Sequence, residues 1–373
     1  MKIYEEGNKN IIFYSSTPLE FLGEAEATII QTAKSLDQKK GFSVTIYAPP
    51  LTPNQHPFST REQILIRLGK VSYKNVNMWA MTRISKNTDY IFLRNDIRSL
   101  LPALIPTLLY RQVRRQTIVQ CYTPIKLPES EEIRYKRHNV VYGSAIYRLF
   151  LRVISEKYQV FSTTDKRLIK GASLIKPPCD QIFFEHTSHL ANTQVGNKIK
   201  VLYYNDLTAK KGFDLFPGLI RSLERRKMLD RFKFTIIGQG DMQEIAQKLV
   251  KKHKNIQYKP KTAFFNLPEL FDSQNVFLSL SLFETSPLII SEAMSRGLLV
   301  LAFDIPALYS NKTKDVMYFS PKYNVAELAK RLIEISSMKK SMIKEKSEQV
   351  VEYANKEFRM DNYVKKLLTF IYS

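Results

Sequence analysis

Glu284 and Glu292 stand eight positions apart inside Val276 to Ala307, VFLSLSLFETSPLIISEAMSRGLLVLAFDIPA. VFLSLSL is rich in apolar and β-favouring residues and predicts a buried strand, and LLVLAF predicts another. A helix is expected between them: Ser286 suits its N-cap, Pro287 its first position, where the missing N–H has no helical partner, and Gly297 a left-handed stop. In such a β-α-β unit Glu284 falls just past the carboxyl end of a parallel strand, where open α/β sheets bind ligands. Backbone N–H groups around Thr285, Ser286 and Leu288 offer partial positive charge to an anion, and a diphosphate fits that description. Two glutamates at this spacing are also what a solvated helix face looks like; it is the β-α-β setting that favours a site.

The stretch resembles the Glu-x7-Glu element of retaining glycosyltransferases of the GT-B fold, specifically glycosyltransferase family 4. Ser281, Phe283, Glu284, Glu292-Ala293-Met294 and Gly297 match that element, whereas Thr285-Ser286-Pro287 replaces its Gly-containing turn. The resemblance implies that Glu284 contacts the transferred sugar and Glu292 the nucleotide ribose. It also implies a Lys-Gly after the first strand of the donor domain, and Lys211-Gly212 matches. Lys211 is then a catalytic residue clamping the donor diphosphate. The family's arginine position is held by Asp206, for which Lys210 is a candidate substitute. Gly238-Gln239-Gly240 after a strand is a further candidate for phosphate proximity. Gly23 stands at the N-terminal glycine motif, and Tyr122 occupies the acceptor-side position where many members have a histidine. No cofactor and no metal are expected, because lysines and helix N–H groups would carry the leaving-group charge.

The elements that must position these residues read as two series of alternating strands and helices. The first includes strands at 10–15, 42–48, 89–93, 117–122 and 158–162, with helices at 24–39 and 63–68. SLIKPPCDQIFF (173–184) closes this domain, expected to span 1–185. The polar segment 186–197 reads as a linker. The donor domain is expected over 198–355, with strands at 198–204, 232–237 and 316–319 and helices at 213–229, 325–336 and 339–353. The final stretch, about 356–373, carries apolar residues at Tyr363, Leu367 and Ile371 and is expected to return to the first domain, as the last helix does in the resembled family. The expected fold is thus α/β, two Rossmann-like domains facing across a cleft.

The chain has 373 residues and a formal charge of +22, which points to a polyanionic partner such as an anionic membrane surface or nucleic acid. An aromatic-basic motif of known nucleic-acid spacing is absent, so nucleic acid is the weaker reading. Residues 97–128 and 133–155 contain no acid, and AIYRLFLRVI mixes arginines with bulky apolar groups as an interfacial helix does. Two cysteines without a Cys/His cluster suggest neither a disulfide framework nor zinc, and a reducing cytoplasm is the expected compartment. No run approaches the roughly 20 apolar residues of a spanning helix, so any membrane contact is expected to be peripheral. A nucleotide-sugar donor and a glycan or lipid-linked acceptor are the expected partners. The alternative is a non-catalytic GT-B subunit binding another protein, in keeping with Asp206 and the absent histidine.

Overall fold

The computed structural model describes residues 9–21, 24–52, 60–76, 88–94, 117–121, 159–162, 173–185, 197–260, 266–284, 287–305, 307–308 and 313–372. The chain divides into two compact units, 1–178 with 360–373, and 179–359. Gly23, His56, Tyr122, Thr285 and Ser286 lie outside the described residues, as do both acid-free stretches apart from 117–121.

The first unit is built on seven parallel strands: β1 (Lys9–Tyr14), β2 (Phe42–Ala48), β3 (Ser72–Asn75), β4 (Tyr90–Arg94), β5 (Thr117–Cys121), β6 (Gln159–Ser162) and β7 (Ser173–Leu174). Their order is β3-β2-β1-β4-β5-β6-β7. Parallel strands covered on both faces need nearly continuous apolar sequence, and β1 accordingly buries Ile11, Ile12, Phe13 and Tyr14 in succession. Helix α1 (Glu24–Asp37) buries Ile29, Ile30, Ala33 and Leu36, and α2 (Arg61–Leu68) is closed by a Thr60/Gln63 capping box. Strand β3 was not among the sequence expectations: of SYKN only Tyr73 is even partly buried, so the segment carries no apolar alternation.

The second unit has six parallel strands in the order β10-β9-β8-β11-β12-β13. They are β8 (Ile199–Tyr204), β9 (Phe232–Ile237), β10 (Ile256–Lys259), β11 (Val276–Ser279), β12 (Leu299–Phe303) and β13 (Met317–Ser320). The helices are α3 (Phe216–Arg225), α4 (Gln243–Lys252), α5 (Leu267–Asp272), α6 (Leu288–Ser295), α7 (Val325–Ser336) and α8 (Lys340–Phe358). In place of a single helix over 213–229, a 3-10 turn at Phe213–Leu215 precedes α3, whose first turn contains Pro217. Pro287 is the N-cap of α6, in extended conformation, rather than its first helical residue. Gly297 does take the left-handed conformation expected of it, with φ 81°.

The division between units falls at 178/179 rather than at 185. Asp180 caps a 3-10 turn, Gln181–Phe184, that turns Phe183 and Phe184 into the second core, and the Cys179 N–H donates to the Phe358 carbonyl at 2.9 Å. The return falls at 359/360, not 356, because α8 continues four residues past Ala354 and Arg359 stays with it through Asn355. From there α9 (Met360–Tyr372) belongs to the first unit. Its Tyr363, Leu367 and Ile371, the expected apolar face, join that unit's core with Met360, Val364 and Leu368. Among the described residues, no helix is long and apolar enough to cross a membrane.

Candidate functional site

Strand order in the second sheet reverses between β8 and β11, and the loops leaving the carboxyl ends of these two neighbours border the crevice where an α/β sheet takes its ligand. The loop after β8 folds into consecutive tight turns, with Lys211 N–H donating to the Thr208 carbonyl and Gly212 N–H to that of Ala209. Gly212 has φ 69°, and a Cβ there would lie 1.9 Å from the Leu280 carbonyl oxygen. Only glycine lets this loop come so close to the chain leaving β11. Leu282 N–H then reaches the Lys210 carbonyl at 3.4 Å, which links the two loops directly.

Lys211 is thereby brought to Glu284. Lys211 Nζ donates to Glu284 Oε1 at 2.7 Å, with side chains only 16% and 8% exposed. The buried Tyr203 hydroxyl, below the loop, donates to the Lys211 carbonyl at 3.1 Å and lies 3.3 Å from that of Asp206. Burial holds its pKa well above the usual value, with the Glu284 charge adding to the effect, so this hydroxyl remains a donor. Asn205 Nδ2 lies 3.5 Å from Ser281 Oγ, a second side-chain bridge across the switch point.

Glu292, on α6, is 8% exposed. Its charge adds to burial in raising Tyr204, the last residue of β8, to about 12, and in raising the Cys179 thiol. Adjacent strand residues point to opposite faces, and Glu284 acts on Tyr203 while Glu292 acts on Tyr204. Both carboxylates therefore bear on the end of β8. Leu288 opens α6 and is buried, its carbonyl taking the Ser291 hydroxyl at 2.7 Å.

Gly238 and Gly240 have a packing reason of their own. A Cβ at Gly238 would lie 1.9 Å from the Asn205 carbonyl oxygen, and one at Gly240 2.5 Å from that of Leu207. Leu207 N–H donates to the Gln239 carbonyl, and Met242 N–H to that of Leu207, so the loops after β8 and β9 meet backbone to backbone. Asp206 and Lys210 are exposed. A cavity of about 310 Å³ lies away from this cluster, between β13, α7 and α8, where Arg331 is engaged by Glu327 and Glu334.

Sequence reading missed Tyr203 and the pairing of Arg296 with Asp272. Arg296 is 1% exposed; its Nε and Nη2 take both Asp272 oxygens at 2.8 and 2.5 Å, and Nη1 donates to the Glu185 carbonyl at 2.6 Å. It fastens the segment entering the second unit to α5 and the end of α6. The partners are 24 and 111 positions away, so no local spacing announced them. An arginine at the end of a helix as apolar as LIISEAMS was the available signal.

Residues 186–357 match the model of the family described as glycosyl transferases group 1. No curated protein sequence matches the chain. Among solved structures, a glycosyltransferase from Rickettsia africae superposes with TM-score 0.71 at 15% identity, covering 98% of each chain. Sucrose-phosphate synthase from Thermosynechococcus elongatus gives 0.68 at 14%, over 97% of this chain and 98% of that one. Anabaena Alr3699/HepE, in complex with UDP and glucose, gives 0.70 at 13%, over 97% and 99%. The architecture is the GT-B glycosyltransferase fold, two parallel Rossmann-like α/β sheets with their helices. Nearly all of the second unit, which holds Lys211, Glu284 and Glu292, matches the group 1 glycosyl transferase domain by sequence.

Proposed function

We propose that this chain is a retaining, metal-independent hexosyltransferase of glycosyltransferase family 4, moving a sugar from a nucleotide diphosphate donor to a hydroxyl acceptor. The observation that carries the reading is the Lys211–Glu284 pair at the β8/β11 switch point, a cation and a carboxylate from two loops held 2.7 Å apart. Lys211 meets the donor diphosphate and stabilises the charge that develops as it leaves. Glu284 lies against the transferred sugar, and Glu292 takes the ribose hydroxyls. Thr285, Ser286 and Leu288 supply N–H groups to the phosphates, with Lys210, Gly238, Gly240 and Gly23 completing the donor surroundings and Tyr122 on the acceptor side. Without ligand, Glu284 is the counter-ion of Lys211; on donor binding the lysine is shared with the diphosphate, which leaves the carboxylate for the positive charge developing on the sugar. Structures of Anabaena Alr3699/HepE with UDP and with UDP-glucose support a nucleotide-sugar donor. The acceptor is a lipid-linked or membrane-proximal glycan, a reading supported by the +22 charge, and the protein works from the cytoplasmic side as a peripheral enzyme.

The test is thermal unfolding with UDP-, GDP- and dTDP-sugars, followed by release of nucleoside diphosphate from the donor that protects. A second reading rests on Asp206, an exposed carboxylate where the resembled family has its arginine: a non-catalytic subunit that binds another protein. Protection by no donor and no nucleotide release would select it.

A further inference from the structure

At the amino ends of β8, β9 and β10, opposite the proposed donor site, the second unit gathers an unusual charge. Residues 198–200, 224–233 and 251–254 hold ten lysines and arginines, all exposed, against two acids, Glu224 and Asp230. The strands are parallel and α3 and α4 run back across them, so three segments separate in sequence end on one edge. They are fastened there. Asn255 Nδ2 donates to the Leu229 and Phe232 carbonyls at 3.0 and 3.1 Å, and Glu224 on α3 lies 3.6 Å from Lys252 at the end of α4.

Helix-end compensation accounts for only part of this. Cations suit a helix C-terminus, and Arg225, Lys251 and Lys252 lie in last turns with Arg226 the C-cap of α3, but Lys198, Lys200, Arg231 and Lys233 stand at the end of no α-helix. Lys200 on β8 sits directly opposite Lys233 on β9, and like charges opposed across strands are destabilising. The fold gains nothing from that juxtaposition, which indicates an external anion.

We propose that this edge is a docking face for an anionic lipid bilayer. Sequence-tolerant nucleic-acid surfaces combine cations with exposed aromatic rings for base stacking; the aromatic in these segments, Phe232, is fully buried. The rim instead carries apolar side chains, Met228 and Leu229 partly buried and Val250 exposed, that suit the headgroup boundary. Because Lys211, Glu284 and Glu292 lie at the other end of the sheet, lipid on this face leaves them uncovered. The choice of a bilayer rests on the charge and apolar rim of this face and not on the acceptor proposed above, so donor binding is measured separately, by thermal protection without lipid.

The experiment is co-sedimentation of the full chain with vesicles of phosphatidylglycerol and phosphatidylcholine, and with phosphatidylcholine alone, over a salt series. Each cation near an anionic surface is worth about fivefold in partition. The triple variant Arg226→Glu, Lys251→Glu, Lys254→Glu should bind the anionic vesicles at least about tenfold more weakly, and adding salt should weaken the wild type. Should the reversed charges impair folding, the corresponding glutamine triple decides. Lys40→Glu, Lys70→Glu, Lys74→Glu, exposed positions of the first unit, is the control and should change binding by less than about threefold. Equal binding to both vesicles, retention by the patch triple, or an equal loss in the control overturns the proposal. So does a single-stranded oligonucleotide that binds more tightly through the same three residues, which assigns the face to nucleic acid.

Discussion

Lys211 and Glu284 form an ion pair in a place with little water, and this makes their variants informative in two ways. Lys211→Ala removes a preorganised positive charge from the leaving diphosphate and is expected to cost about 2 to 4 kcal/mol in kcat/KM. It also leaves Glu284 buried without its counter-ion, so the ligand-free protein should melt earlier. The double variant Lys211→Ala, Glu284→Gln should recover stability but not activity, and turnover within about twofold of wild type in Lys211→Ala would place the clamp elsewhere. The two glutamates should separate kinetically. A carboxylate beside an anomeric carbon gaining positive charge is favoured more in the transition state than in the ground state, so Glu284→Gln should lower kcat at least about tenfold. Glu292, on ribose hydroxyls that do not change, should mainly raise the donor KM when made Gln. The glutamate spacing was legible because it lies within one β-α-β unit. That Lys211 would meet Glu284 was not, since the partners are 73 positions apart and only the adjacency of β8 and β11 joins them.

At the scale of elements, position depends on backbone approach more than on secondary structure itself. Gly212→Ala would force a side chain into left-handed φ and drive its Cβ to 1.9 Å from the Leu280 carbonyl oxygen. The left-handed conformation alone costs about 1 to 2 kcal/mol, and the loop carrying Lys211 must shift as well. The expected result is a lower melting temperature together with a loss of donor protection; protection at wild-type strength would show that the loop does not position Lys211. A contrasting case is Asp272→Ala, which leaves the Arg296 guanidinium buried without its carboxylate and should destabilise by about 3 to 5 kcal/mol in denaturant titration. Kinetics should be little affected under conditions where the protein stays folded, because the pair fastens the entering segment to α5 and the end of α6. Strands such as FKFTII were readable to the residue, being buried throughout except at Lys233. Helix starts were less so. Proline at 287 suits the first helical position by propensity, yet it stands one residue earlier, as the extended N-cap of α6.

For the whole molecule, the chain leaves the first unit after Pro178 and comes back to it at Met360, and α9 was legible because apolar residues every four positions demand a buried face. The exact crossings were not, since they depend on which core receives Phe183 and Phe184 and on Arg359 staying with α8 through Asn355. The returning helix carries a polar atom into that core. Tyr363 is 3% exposed, and burial raises its pKa from 10.0 to about 12, partly offset by Thr32 and Gln120 beside it. Between pH 10 and 12 the unfolded tyrosine has lost its proton while the folded one keeps it, so the native state binds more protons and stability falls as pH rises. Below pH 10 both states are protonated and the contribution is fully present. A shift of this size corresponds to about 2 to 3 kcal/mol once pH passes 12. Tyr363→Phe keeps the ring and removes the titration. Lysine deprotonation over the same range affects wild type and variant alike and cancels in their difference. The variant should therefore lie close to wild type in unfolding free energy at pH 8 and become the more stable of the two, relative to that baseline, as pH rises above 10. Parallel pH profiles for the two proteins would show that α9 does not hold this tyrosine in the core.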